Sequence, residues 1–365
     1  MKVLHIFSSW TKGGAEKSTL FLADSIQKYA QGVDNILAVP EDSFMFEEAR
    51  LLNLKAYPFK AKGSLDLRAI MRLLKIVKTE NIDIIHVHQG KLFWTALLVK
   101  FFRKKVKVVF HRRQDSRHSF YSKYHYRFAD AVISVSEAVK KGLVEYEGVN
   151  AGKITVIYNG VNFAKFSGIT NKGEIISKYN LEGKTVVGTV GAINDLKGKG
   201  QVYLVEAAAI LKNTRPDIRY MIIGGGEGLE SLKAYAAKLC VEDVVIFTGY
   251  QEKVAQYVSA CDIMCLLSWH TEGMPNVLIE AQFMGKPVIA TNIGGNPEAF
   301  VNGITGFLIK PQNAKAVAES ITLFASSPKR TKAMGEEARK FVREKFTTEK
   351  MVQDTLAVYN KVLGG

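Results

Sequence analysis

Apolar runs of strand length alternate with segments of helical periodicity along the whole chain, and this alternation restricts the fold more than any other feature. Such runs occupy residues 3–8, 36–39, 84–88, 106–110, 131–135 and 154–157 in the first half. In the second half they occupy 186–190, 219–223, 244–248, 262–267 and 287–290. A helix between successive strands implies parallel sheets covered on both faces, hence an α/β fold. At 365 residues the chain is too long for one ordinary core, and 47% hydrophobic residues suffice for two Rossmann-like units of comparable size. Turn residues from Tyr158 to Val161, then a polar stretch up to Gly183, mark the boundary. The expected division is 1–165, 166–346 and a closing helical segment, 347–365.

The three cysteines, Cys240, Cys261 and Cys265, form an odd, sparse set in apolar surroundings. They predict core packing in a reducing cytoplasm over disulfides or metal binding. The first residues read as a strand and lack the longer apolar region and cleavage site of a signal peptide, so a cytoplasmic location is expected.

Candidate chemistry concentrates between residues 262 and 298. An apolar run there ends in the polar turn His270-Thr271-Glu272-Gly273, and a helix is predicted from Asn276 to Gly285, with Pro275 in its first turn. Backbone donors near Gly273, Met274, Pro275, Asn276 and Val277 then stand at the positive end of a helix dipole, where a diphosphate docks without requiring a metal. Glu272 projects from the turn and Glu280 lies about one turn inside the helix, so both carboxylates can accept hydrogen bonds from hydroxyl groups. The plain alternative is an N-capping turn and an exposed helical glutamate. Gly13 and Gly14 follow the first strand and precede a helical run over 16–29, which suits close approach of a phosphate or sugar, or simply a loop needing positive φ. Gly224 to Gly228 do not fit the spacing of a dinucleotide fingerprint and read as a turn. His86 and His88 alternate at a strand end, but no carboxylate or cysteine partner stands near them in sequence, so no metal is expected.

The stretch with Glu272 and Glu280 resembles the Glu-x7-Glu signature of retaining GT-B glycosyltransferases, family four in particular. In the same order as in that family come Gly13-Gly14-Ala15-Glu16, DIIHVH from Asp83, SVSEAVKKGL, IYNGVN and, from Ile293, IGGNPEAFVNGITGFLI. The resemblance implies a GT-B fold: two Rossmann-like domains with parallel sheets facing a central cleft, and a C-terminal helix crossing back to the first domain. It implies that Glu272 fixes the transferred sugar and Glu280 the ribose, neither serving as acid or base, with residues 273–277 holding the diphosphate. Gly14, with Gly13, would lie over the donor, the turn at Gly249 would meet the base, and His111 would reach the transferred sugar from the first domain. Tyr250 is then open to base stacking, although a half-buried core tyrosine is the plainer expectation. His86, His88, Arg112 and Arg113 fall on the acceptor side, the two arginines suiting an anionic acceptor.

The chain departs from the family pattern after Gly191, where Ala192 replaces the usual arginine and both Lys197 and Lys199 compete for the lysine that faces the diphosphate. Counting forward from Gly191 selects Lys197, and counting back from Glu206 selects Lys199. The implied catalytic set is therefore His111, Glu272, Lys197 and Lys199. No Asp-x-Asp occurs in the chain, which agrees with metal-independent donor binding, and no cofactor is expected.

A formal net charge of +15 and a pI near 9.5 bear on partners more than on chemistry. Between Lys100 and Phe128 only Asp115 opposes many Lys and Arg, interleaved with Phe101, Phe102, Phe120, Tyr121, Tyr124 and Tyr126. Nucleic acid, an anionic membrane surface and a merely solvated face are the three readings. The membrane is favoured by the resemblance, at the cytoplasmic face of the inner membrane and with no nucleic-acid partner. The expected activity is transfer of a hexose-type sugar from a UDP- or GDP-sugar to a cell-surface glycan or glycolipid acceptor. The run Phe110-His111-Arg112-Arg113-Gln114-Asp115 resembles lipopolysaccharide-core members. A GT-B phosphorylase or epimerase, and a basic nucleic-acid-binding protein, are the alternatives.

Overall fold

The computed structural model describes residues 1–114, 126–166 and 172–364. Asp115, Phe120, Tyr121 and Tyr124 of the basic segment lie outside the described residues. The chain divides into two compact units, Met1–Gly160 with Thr348–Gly365, and Val161–Thr347. The division follows Gly160, a few residues ahead of the expected boundary. Gly160 donates its N–H to Met351 Sδ in the first unit (3.2 Å), whereas Val161 donates to the Phe346 carbonyl in the second (3.1 Å).

In the first unit β1 (Lys2–Ile6), β2 (Asp34–Val39), β3 (Lys55–Pro58), β4 (Ile84–Val87), β5 (Lys107–Arg112), β6 (Ala131–Ser134) and β7 (Ile154–Val156) form a seven-stranded sheet in the order β3-β2-β1-β4-β5-β6-β7. All pairings are parallel. The crossovers carry α1 (Gly14–Tyr29), α2 (Phe44–Leu51), α3 (Leu67–Glu80), α4 (Phe93–Phe102) and α5 (Glu137–Glu145). Local chemistry sets these helices. At α3, the Asp66 carboxylate accepts from the N–H groups of Arg68 and Ala69, and Asn81 at φ 54 closes the other end. Between them Ala69, Ile70, Leu73, Ile76 and Val77 recur at three- and four-residue spacing on the buried face.

The second unit holds α6 (Lys172–Lys178), α7 (Gln201–Leu211), α8 (Leu229–Lys238), α9 (Val254–Ala260), α10 (Asn276–Phe283), α11 (Ala314–Ala325) and α12 (Pro328–Lys345). Its six parallel strands are β8 (Thr185–Val190), β9 (Ile218–Ile223), β10 (Val245–Gly249), β11 (Ile263–Leu266), β12 (Val288–Thr291) and β13 (Gly306–Ile309), in the order β10-β9-β8-β11-β12-β13. Two strands, β3 and β13, escape the sequence reading. Both are short edge strands, one ending in Pro58 and the other opening at Gly306, so neither shows a long apolar run. Cys240 also differs from expectation: it stands exposed at φ 55 just past α8, while Cys261 and Cys265 are buried in the core. The helix expected over 276–285 ends at Phe283, and Pro275 stands just ahead of it at the N-cap position, not in its first turn.

Each sheet reverses its strand order between its first strand and the neighbour that follows three crossovers later, β1 beside β4 and β8 beside β11. Loops leaving those carboxyl ends diverge to opposite faces, which opens a crevice where ligands bind in such sheets. Both candidate sites below lie there.

The last helix, α13 (Thr348–Leu363), belongs to the first unit. Met351, Val352, Val358 and Tyr359 share a buried cluster with Val3, Leu22, Ile26, Ile84 and Val109. Each such side chain contributes about 1.5–3 kcal/mol by leaving water. Tyr359 adds a polar tie, its hydroxyl 2.6 Å from His86 Nδ1 with both side chains fully buried. Tyr359→Phe is expected to lower stability by about 1–3 kcal/mol, because it leaves the imidazole nitrogen buried without a partner. The shift of the urea midpoint measures this.

Candidate functional site

In the second unit, the loops after β8 and β11 meet. Gly200 makes this meeting feasible: its φ is +83, and a Cβ there would stand 1.9 Å from the Leu267 carbonyl oxygen. The preceding turn is tied by the Gly198 N–H, which donates to Asp195 Oδ1, and by the Gly200 N–H, which donates to the Lys197 carbonyl, both at 2.6 Å. This turn sends the two lysines to different partners. Lys199 donates from Nζ to Glu272 Oε1 at 2.6 Å, and the Ser268 hydroxyl donates to the same oxygen at 2.5 Å. Lys197 instead lies over the Trp269 ring, 5.1 Å from its centroid. Gly191 leaves room for the Lys199 stem, since a Cβ there would approach its Cγ to 3.3 Å. Ala192 is exposed, and its carbonyl accepts from Gln201 Nε2 at 3.4 Å.

Glu272 is buried, and the Gly-Gly pair downstream is its bed. A Cβ on Gly294 (φ +50) would stand 1.9 Å from the Glu272 carbonyl oxygen, to which the Gly295 N–H donates at 3.1 Å. Gly273, Met274 and Pro275 are buried, while Asn276, Val277 and Glu280 are half-buried on α10. Pro275 at the N-cap offers no side-chain hydrogen bond to α10, and the first N–H groups of a helix have no partner within it. The turn Gly224 to Gly228 packs on the loop after β8, a Cβ on Gly224 meeting the Gly191 carbonyl at 2.0 Å. Gly249 sits at φ +69 in open space, and Tyr250 beside it is 64% exposed, which corrects the expectation of a core tyrosine. Chemically, this crevice offers a fixed carboxylate, a movable ammonium and a helix start within one pair of loops.

The first unit has a cavity of about 490 Å³ at the carboxyl ends of β1, β4 and β5. Gly13, Gly14, Glu16, His88, Lys91, His111, Arg112 and Arg113 are among its lining residues. Gly13 caps α1, and a Cβ there would press on Glu16 Oε2 at 2.8 Å. Glu16 is buried and accepts from the Thr11 hydroxyl at 2.5 Å. Arg112 faces Glu147 at 3.5 Å. Arg113 donates to Asn159 Oδ1 at 3.2 Å and stands 3.5 Å from both His88 Nδ1 and His111 Nδ1.

Behind these residues the structure adds His5, which sequence reasoning missed. It lies opposite His86 across β1 and β4, a relation visible only once strand order is known. His5 Nδ1 is 3.0 Å from His88 Nε2, and His5 Nε2 is 2.9 Å from Asn35 Oδ1. His86 stacks on His111 with ring centroids 5.3 Å apart. His5, His86 and His88 each offer a nitrogen within 4.8 Å of the others, the spacing of a metal-binding trio. Two of those nitrogens already face one another at hydrogen-bond distance, and the Arg113 guanidinium beside His88 opposes a second cation there. The geometry therefore favours neutral, hydrogen-bonded rings. Burial is the main cause that holds His86, His88 and His111 well below the usual histidine range and pulls His5 down to about 4.

Two family models match the chain: "Glycosyltransferase Family 4" over residues 12–165 and "Glycosyl transferases group 1" over residues 171–341. The chain is 30% identical over 265 residues to UDP-Gal:alpha-D-GlcNAc-diphosphoundecaprenol alpha-1,3-galactosyltransferase of Escherichia coli, covering 67% of each protein. It is 30% identical over 243 residues to the capsular polysaccharide biosynthesis glycosyltransferase CapM of Staphylococcus aureus, across 64% of this chain and 62% of that protein. Among solved structures it resembles a glycosyltransferase from Rickettsia africae (TM-score 0.90, 24% identity, 100% and 99% coverage). It also resembles Anabaena HepE in complex with UDP (TM-score 0.87, 21% identity, 99% and 100% coverage). At these identities the two structures establish the GT-B fold.

The lowered histidines give a pH prediction. His5 is neutral in the folded protein down to about 4, whereas an unfolded histidine takes up its proton near 6.5. Its contribution is fully present above about pH 6.5 and is lost as pH falls from there towards 4, amounting to about 3 kcal/mol. His5→Gln is expected to show a shallower loss of stability across that window, measured by urea unfolding at successive pH values.

Proposed function

The chain belongs to the family-four, group 1 glycosyl transferases, and from that premise we propose that it moves a hexose-type sugar from a UDP- or GDP-linked donor to a cell-surface glycan or lipid-linked acceptor. Transfer proceeds with retention and without a divalent metal in this reading. The observation that carries it is the contact of Lys199 with Glu272 beside the start of α10, where proline is the N-cap residue. A diphosphate at that helix start draws Lys199 away from Glu272 and onto its oxygens, which stabilises the charge that develops as the glycosidic bond breaks. Glu272, held by Ser268, then accepts from hydroxyls of the transferred sugar, and Glu280 takes the ribose. The leaving phosphate helps to remove the acceptor proton, so no protein nucleophile is required.

The acceptor assignment draws on the relatives, one named for a diphosphoundecaprenol-linked substrate and one for capsular polysaccharide. Membrane docking has its own support in α4. Phe101 and Phe102 are 70% and 62% exposed at its end, Arg103, Lys104 and Lys105 follow in solvent, and Phe128 stands exposed across a shallow groove. Aromatic side chains beside cations suit an anionic leaflet. Not every residue of that segment serves it: Tyr126 is core, and Lys100 is paired with Asp130 at 2.7 Å. No helix among the described residues is long and apolar enough to cross a membrane.

Lys199→Ala is expected to lower kcat about 10²–10³-fold and Lys197→Ala only a few-fold. The assay uses whichever of the UDP-, GDP-, ADP- and CMP-sugars stabilises the protein to heat; wild-type turnover in both variants, or no stabilisation by any donor, would contradict the reading. Replacing Phe101 and Phe102 together by Ser is expected to abolish sedimentation with liposomes containing anionic lipid. Equal recovery of wild type and variant in the supernatant would remove the membrane from the account.

A further inference from the structure

Arg113 is a cation in the first unit that has no ion-pair partner among the described residues. Its neighbour Arg112 has Glu147, but among the described residues Arg113 meets only the Asn159 amide oxygen and two imidazole nitrogens. Burial pulls its basicity down, to about 9, which leaves it charged at neutral pH. A partly buried charge without a counter-charge is costly, and such groups cluster at binding sites.

Hydrogen-bond directions show what the cation lacks. A guanidinium only donates, so the Nδ1 atoms of His88 and His111 that face Arg113 are acceptors, and each of these neutral rings carries its proton on Nε2. For His88 that proton goes to His5 Nδ1, whose own Nε2–H goes on to Asn35 Oδ1. This line gives both imidazole protons an acceptor and ends on the Asn35 amide, whose Nδ2 is buried without a partner among the described residues. His111 differs, because its Nε2 is buried with no hydrogen-bond partner among the described residues, and Arg113 Nε is in the same condition. Two unmatched N–H donors, one on a cation, therefore belong to adjacent side chains that line one cavity. Lys91 adds a second positive charge to that lining, while the carboxylate of Glu16 is occupied by Thr11.

We propose that this cavity is a subsite for an anionic group of the acceptor, a carboxylate or a phosphate ester, gripped by Arg113 with His111 as a second donor. The proposal rests on the reading of the first unit as the acceptor side. The same anionic oxygens could come from the donor's diphosphate, and the experiment separates the two sources. The full chain is titrated with inorganic phosphate and with malonate at pH 7.5, with and without saturating UDP, and binding is followed by calorimetry and thermal shift. The expected result is saturable binding of at least one anion that persists with UDP bound. It is expected to weaken about tenfold or more in Arg113→Met, and similarly in Arg113→Lys, which keeps the charge but loses the fork should the Met variant fail to fold. The stronger of the two anions names the chemistry.

No saturable binding to wild type, unchanged binding in Arg113→Lys, or loss of binding when UDP is present would each overturn the proposal. UDP alone reports on the donor reading separately. If UDP stabilises the protein and neither anion binds, the subsite falls and the donor reading stands; if the anions bind and UDP does not, the reverse holds.

Discussion

The candidate donor site depends on an ion pair that is well placed but cheap to break. Lys199 reaches Glu272 at 2.6 Å, with its side chain 41% exposed and that of the glutamate 10%. A pair open to water on one side is worth roughly 0.2–1 kcal/mol. Charge-assisted hydrogen bonds to a diphosphate are worth about 1.5–3 kcal/mol each, so a ligand can take the lysine and still leave the carboxylate in position. The loop that delivers Lys199 is less free to change. Gly200 closes on the Leu267 carbonyl and Gly294 on that of Glu272, so backbone contact, not side-chain packing, fixes the distance between the two charged groups.

The first unit poses the opposite electrostatic problem. Four histidines and an arginine crowd the ends of β1, β4 and β5, and burial keeps the rings neutral around one charge. Helix α13 completes this arrangement, since Tyr359 holds the orientation of His86 from a position 273 residues further along the chain. Packing and polar order are therefore joined here: the helix that covers the hydrophobic face of the first sheet also fixes one ring of the polar cluster.

How far the sequence disclosed this varies by element, for physical reasons. The parallel sheets were legible because both faces of each central strand are buried, which writes long apolar runs; the edge strands β3 and β13 are covered less and write none. The glutamate pair was legible from a turn, a proline and a helix start lying close together. The choice between Lys197 and Lys199 was not, because it depends on a turn through Gly198 and Gly200, both at positive φ, and counting from either flank ignores that turn. His5 was hidden because its relation to His86 exists only across strands, and Tyr250 was misjudged because an aromatic residue after a strand carries no sign of its exposure.

The central claim is that Lys199 and Glu272 part on donor binding and act on different portions of the donor. A double-mutant cycle on kcat/KM with Lys199→Ala, Glu272→Ala and the double variant tests it most directly. If the two groups serve phosphate and sugar separately, the loss in the double variant approaches the product of the single losses. A double variant no worse than the weaker single variant would contradict the account, and would reduce the pair to a strut between two loops.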